Sequence, residues 1–142
     1  MERMLSIGCG AFDPPDLRRL KRLYVGFALA LLVVSPFWSA VYLAFDEAWA
    51  ALVPILYWPL TVATIAWFAR SRDLSLAAAG TSLIMLILPF FLHVTLGGLQ
   101  LSSGVLLWSF LAPLCALVFG RGRTIWLLAF AGAVLLGAFT PA

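Results

Sequence analysis

The sequence predicts an all-α fold, a polytopic transmembrane helical bundle, and three observations carry that prediction. The 142 residues are 64% hydrophobic and 11% charged, whereas water-soluble domains run near half apolar and a quarter charged. The apolar residues fall in runs near the roughly 20 that a helix needs to cross a bilayer, not in alternating segments of about 10 as in a transmembrane β-barrel. The charges sit between those runs, so lipid is the solvent for most of the chain. Helices satisfy their own backbone groups there, and every run is apolar on all faces.

Residues 1–22 form a basic N-terminal segment holding Arg3, Arg18, Arg19, Lys21 and Arg22. Within it Asp13-Pro14-Pro15-Asp16 is a helix start signal: prolines are tolerated in a first turn and acids favour the positive end of the helix dipole. A short basic helix then leads into the first span, 23–45. That run exceeds a secretory h-region and has no clear small-residue cleavage site before Asp46-Glu47, so it is expected to be retained. Pro36 within it predicts a kink that neighbouring helices accommodate.

The second span, 48–69, carries Trp49 and Trp67 near its ends, where the two headgroup belts lie. "RSRD" at 70–73 makes a charged turn. The third span is 74–96 and the fourth 103–120, with Pro113 marking a bend. "RGR" at 121–123 is the next turn, and 124–139 is a fifth run, short for a full crossing.

Numbering the connections alternately puts all nine basic residues on one side: those of the N-terminal segment, then Arg70 and Arg72, then Arg121 and Arg123. The opposite connections hold Asp46 and Glu47 and the uncharged break that contains Gly97, Gly98, Ser102 and Ser103. The positive-inside rule then makes the N-terminus cytoplasmic and the Gly-Gly/Ser-Ser break a tight outer turn. The net charge of +3 is read as topology signals and contact with anionic headgroups. No basic patch with interleaved aromatics points to nucleic acid. Five crossings would leave Ala142 outside, an odd count that one further helix would repair.

Little in the chain offers chemistry. Cys9 and Cys115 are too far apart in depth to suggest a disulfide, no h-region precedes Cys9 to make it a lipidation site, and no metal-type Cys/His spacing exists. The single histidine, His93, lies near the outer end of the third span. It is a candidate ligand contact or proton sensor, although the simpler reading is a residue satisfied by a backbone carbonyl or headgroup water. No carboxylate lies within a span, which argues against a cation-coupled transporter. Ser102, Ser103 and Ser109 lack a Gly-Xaa-Ser-Xaa-Gly setting, and catalysis is not expected. Trp108, Ser109 and Pro113 would flank a bend able to line a ligand pocket. Ala129, Ala133 and Gly137 form a small-residue face for helix packing or dimerisation, while Trp38, Tyr42, Trp49, Tyr57 and Trp58 read as belt or packing aromatics.

The run "LGGLQLSSGVLLWSFLAPLCALVF", preceded by "LPFFLHVTLGG" and a basic first helix, resembles the N-terminal six-helix membrane region of bacterial class III adenylate/guanylate cyclases. The likeness extends from about Asp16 onward. It rests on Gly97, Gly98, Ser102, Ser103, Val105, Leu107, Trp108, Ser109, Leu111, Ala112, Pro113 and Leu114, positions that hydropathy alone does not demand. The resemblance implies a membrane anchor and sensor region in the bacterial inner membrane, homodimeric through a cytoplasmic output domain, with an unidentified ligand. The family's sixth helix and its cyclase domain, where two divalent metal ions bind, lie outside this sequence. No catalytic or metal-binding residue carries over, and the chain itself is expected to hold no cofactor. A stand-alone small membrane protein that assembles with a partner is the second expectation, and a small transporter the third.

Overall fold

In a computed structural model of the chain, residues 7–10, 12–98, 102, 104–119 and 122–139 are described, and their regular structure is entirely helical. Among the described residues five α-helices run in order: α1 (Pro15–Ala44), α2 (Ala48–Ser71), α3 (Leu74–Thr95), α4 (Leu111–Phe119) and α5 (Arg123–Ala138). A 3-10 helix, Val105–Phe110, leads directly into α4. Among the described residues only α1, α2 and α3 are long and apolar enough to cross a membrane.

The basic helix that Asp13-Pro14-Pro15-Asp16 starts and the first span form one continuous helix from Pro15, with nothing interrupting the basic turns. The fourth run is not one helix. Val105–Phe110 is wound as a 3-10 helix and the α form begins at Leu111. Pro113 lies near the start of α4, directly after the 3-10 turns, and contributes no N–H to the helical ladder. With 3-10 and α rises of about 2.0 and 1.5 Å per residue, the pair reaches about 26 Å. The 16 residues of α5 reach about 24 Å. Both fall short of a hydrocarbon core of about 30 Å.

The turns on one end are closed by the same device. At the end of α3, Gly97 N–H donates to Val94 O at 3.2 Å and Gly98 N–H to His93 O at 3.1 Å, the paired bonds of a Schellman cap. Gly97 takes the left-handed conformation that the cap requires (φ 86°), open to glycine without a Cβ penalty. At the end of α1 the same pair of bonds runs from Asp46 to Leu43 and from Glu47 to Tyr42. There the left-handed residue is Asp46 (φ 61°).

Helix α3 is the centre of the bundle, packed against α2, the 3-10 helix, α4 and α5, while α1 packs on α2. The distribution of side chains is the reverse of a water-soluble core. Ser39, Thr61, Thr81, Ser82, His93 and Ser109 are buried, while Phe37, Trp49, Trp67, Leu128 and Leu135 are exposed. Such a surface suits lipid, where helices associate through small residues and polar bonds instead of through expulsion of water.

Those polar bonds can be followed helix by helix. Tyr24 on α1 donates to Ala77 O at 3.1 Å and shares a 2.8 Å bond with Thr81 Oγ1, both on α3. Ser39 on α1 donates to Ala51 O on α2 at 2.9 Å. Ser82 on α3 reaches Ala112 O on α4 at 3.1 Å. Pro36 has no N–H to give Leu32 O, and the Trp58 indole of α2 donates to that carbonyl at 2.9 Å. Trp58 thus repairs the break in α1.

Two apolar clusters mark the ends of the bundle. Tyr24, Val25, Phe68, Leu74 and Ala77, with Phe119 against them, form one. They come from the start of α1, the end of α2, the start of α3 and the end of α4. Ala50, Val53, Leu88 and Leu92, with Tyr42, Leu96 and Val105, form the other. Arg18, Arg19, Lys21, Arg22, Arg70, Arg72 and Arg123 all belong to helix ends or turns at the first cluster. Arg3 and Arg121 lie outside the described residues.

Lys21 departs from the reading of the basic residues as headgroup contacts, since it is only 3% exposed. Its ammonium donates to Asp13 Oδ2 and to Gly8 O, both at 2.9 Å. The segment before α1 is thereby folded back onto the bundle, with Ile7 packed on the first cluster and Gly8 against Phe68.

Candidate functional site

The outer end of α3 holds a polar clasp. Its Schellman cap fixes the last turn of the helix, and the His93 ring in that turn is fully buried. Nδ1 lies 2.7 Å from Ser102 Oγ and Nε2 lies 3.1 Å from Gly137 O. A carbonyl only accepts, so in the neutral ring Nε2 carries the proton and Nδ1 accepts from the Ser102 hydroxyl. One imidazole thus ties together α3, the turn that follows it and the end of α5. Gly137 permits this approach: a Cβ there would stand 2.5 Å from Leu106 Cδ2 and 3.2 Å from His93 Nε2.

Beside the clasp a cavity of about 590 Å³ opens between α1, α2, α3 and the 3-10 helix, a size within the range of small-molecule sites. Its walls are apolar and aromatic, with Trp38, Tyr57, Met85 and Trp108 among them. Trp38 and Trp108 meet edge to face at 6.3 Å between ring centroids. Besides the hydroxyls of Tyr42 and Tyr57, the polar side chains Ser35, Ser102 and Glu47 line it. Ser102 is shared with the clasp. The Ser35 hydroxyl is buried and has no hydrogen-bond partner among the described residues.

The residues singled out from sequence divide accordingly. His93, Ser102 and Gly137, read separately as a candidate contact, an outer turn and a packing face, meet in one cluster. Trp108 lines the cavity. Ser109 faces away from it, donating to Leu86 O at 3.3 Å, and Pro113 is buried inside α4. Gly97 and Gly98 cap α3, and Ser103 lies outside the described residues. Ala129 and Ala133 are half-buried, on an α5 that packs against α4, α3 and the 3-10 helix. Ser35, Glu47 and Met85 are among the cavity residues that the sequence did not flag. The available signal was Ser35-Pro36, a polar residue beside a helix-breaking one in an otherwise apolar run.

The other end is electrostatic. The Asp13 carboxyl accepts from Gly10 N–H at 2.6 Å and from Lys21 at 2.9 Å. Those two bonds, the backbone one first, hold it below the usual carboxylate range. Both cysteines are free thiols. Among the described residues no three His, Cys, Asp or Glu side chains converge as a metal site would require.

Comparison with family models, curated proteins and solved structures finds no match for this chain. The fold defines a class only as far as an all-helical protein with three helices able to cross a membrane. The likeness to cyclase membrane regions rests on the residues quoted from the sequence alone.

Proposed function

We propose that the chain is a membrane anchor and sensor region, crossing the bacterial inner membrane five times with its N-terminus cytoplasmic. In the finer form of the proposal it belongs to an adenylate/guanylate cyclase and biases a cytoplasmic output domain. The observation that carries the sensor reading is the ligand-sized cavity at the end of the bundle opposite the basic residues. A molecule bound there touches α1, α2, α3 and the 3-10 helix at once. It therefore biases their packing whenever two arrangements bind it unequally. The orientation is supported by the gathering of basic residues at the other end, as positive-inside requires.

A second reading, a small membrane protein that assembles with a partner, has its own support in α5. Gly137 is the only residue of that helix that is buried, while Ile125, Leu128, Leu135 and Leu136 are exposed. That face accommodates either a further helix of the same polypeptide or a partner's.

An antibody raised to residues 1–22, used on membranes of the source cell, separates the two. A band several times larger than 15.4 kDa, with cyclase activity in the immunoprecipitate, supports the receptor reading. A band near 15.4 kDa overturns it and directs the search to co-purifying proteins.

A further inference from the structure

The cavity has a chemical character beyond its size. Ser35 is 6% exposed and its Oγ is without a partner among the described residues. A serine in a helix ordinarily satisfies itself on the carbonyl four residues back, as Thr64 does here with Leu60 O at 2.8 Å. Ser35 makes no such bond and instead lines the cavity. On the facing helix, Pro89 has no N–H for the carbonyl of Met85, and both residues line the same space. The cavity wall therefore includes, besides the Tyr42 and Tyr57 hydroxyls, a buried serine hydroxyl able to donate or accept, and a turn of α3 relieved of one donor.

Charge restricts the occupant further. Among the described residues no Lys, Arg or His lines the cavity, and the one charged side chain is Glu47. A carboxylate or phosphate would enter without a counter-charge and past a like charge, at a desolvation cost that nothing offsets. Glu47 belongs to the Schellman cap that ends α1. Ser35 and Ala44, the last residue of α1, are about 14 Å apart along the helix axis at about 1.5 Å rise per residue, so Ser35 and Glu47 line separate parts of the cavity.

We propose that this cavity binds a neutral, elongated apolar molecule carrying one hydroxyl or carbonyl group, with that group hydrogen-bonded to Ser35 and the chain packed along Trp38 and Trp108. The inference deepens the sensor reading by naming the ligand class. Its test uses this chain alone and reads binding, so it stands or falls separately from any coupling to an output domain.

The experiment is quenching of tryptophan fluorescence in the purified full chain, reconstituted in nanodiscs of a zwitterionic lipid. Three probes of equal chain length are titrated at equal mole fraction in the bilayer: 11-bromoundecan-1-ol, 1-bromoundecane and 11-bromoundecanoate. The alcohol should quench saturably, while the bromoalkane gives only the linear quenching of a lipid-dissolved collider and the carboxylate binds more weakly than the alcohol. Ser35→Ala should raise the half-saturation point for the alcohol about three- to tenfold, the worth of one hydrogen bond. Trp38→Phe should remove much of the saturable signal, locating the probe. Linear quenching by all three probes overturns the proposal, since the cavity is then merely filled by lipid tails. Equal saturation by alcohol and alkane, binding of the carboxylate as tight as that of the alcohol, or an unchanged half-saturation point in Ser35→Ala overturns the chemistry assigned. The comparison of probes on the unaltered protein needs no variant to fold.

Discussion

Replacing His93 by phenylalanine keeps an aromatic ring in the clasp and removes both of its nitrogens. Ser102 Oγ loses the 2.7 Å bond to Nδ1 and Gly137 O loses the 3.1 Å bond to Nε2, in a place where His93 is fully buried and Ser102 is 1% exposed. A buried polar group left unpaired costs about 1–3 kcal/mol in soluble proteins. Hydrogen bonds between membrane helices average only about 0.6 and reach about 1.7 kcal/mol, because the unfolded state in the membrane also finds partners. The expected destabilisation for the two losses together is therefore about 1–3 kcal/mol. The assay is titration of the purified chain with SDS in mixed micelles, followed by circular dichroism. A cycle with Ser102→Ala isolates one bond: the double variant should be less damaged than the sum of the singles by about 0.6–1.7 kcal/mol. A loss below about 0.5 kcal/mol for His93→Phe, or additivity of the cycle within about 0.5 kcal/mol, would refute the argument that the imidazole holds these elements together.

Gly137→Ala places a methyl against Leu106 and His93 and should cost about 1–3 kcal/mol by overpacking. Gly132→Ala on the same helix meets nothing within 4 Å and should be neutral or stabilising by up to about 1 kcal/mol; the same SDS titration compares them. Because Asp13 is held below the ordinary carboxylate value, its contribution is complete above about pH 3.9 and is lost as pH falls through the lowered folded value. Pepsin cleavage before α1 should thus accelerate below about pH 4, and Asp13→Asn should cleave rapidly at every pH tested. In a cysteine-free background, Asp46→Cys should react with an impermeant maleimide from the outer side of intact cells and Asp73→Cys only after permeabilisation. The reverse labelling would overturn the proposed orientation.

Composition and the placement of charge made the helical class legible without coordinates, because a chain with this much apolar surface has few ways to satisfy its backbone in lipid. Helix ends were legible where the motif is local. Asp13-Pro14-Pro15-Asp16 starts α1 and Gly97-Gly98 ends α3, since capping involves only a few neighbouring residues. Hydropathy marks where lipid begins, at residue 23, whereas the helix begins at its cap, eight residues earlier at Pro15. The 3-10 winding of Val105–Phe110 leaves no periodic signal in a run that is apolar on every face.

The solvent of each segment and the local chemistry of its turns follow from neighbours along the chain and are set by amino-acid order alone. The site was decided by tertiary structure. His93 and Gly137 are 44 residues apart, Trp58 and Leu32 are 26 apart, and the Ser35 hydroxyl is known to be unpartnered only once its surroundings are packed. Lys21 shows the same division. As a letter it is one more positive charge beside a membrane. In the fold it is buried against Asp13 and Gly8, because a charge leaves the surface only where the three-dimensional arrangement supplies its partners.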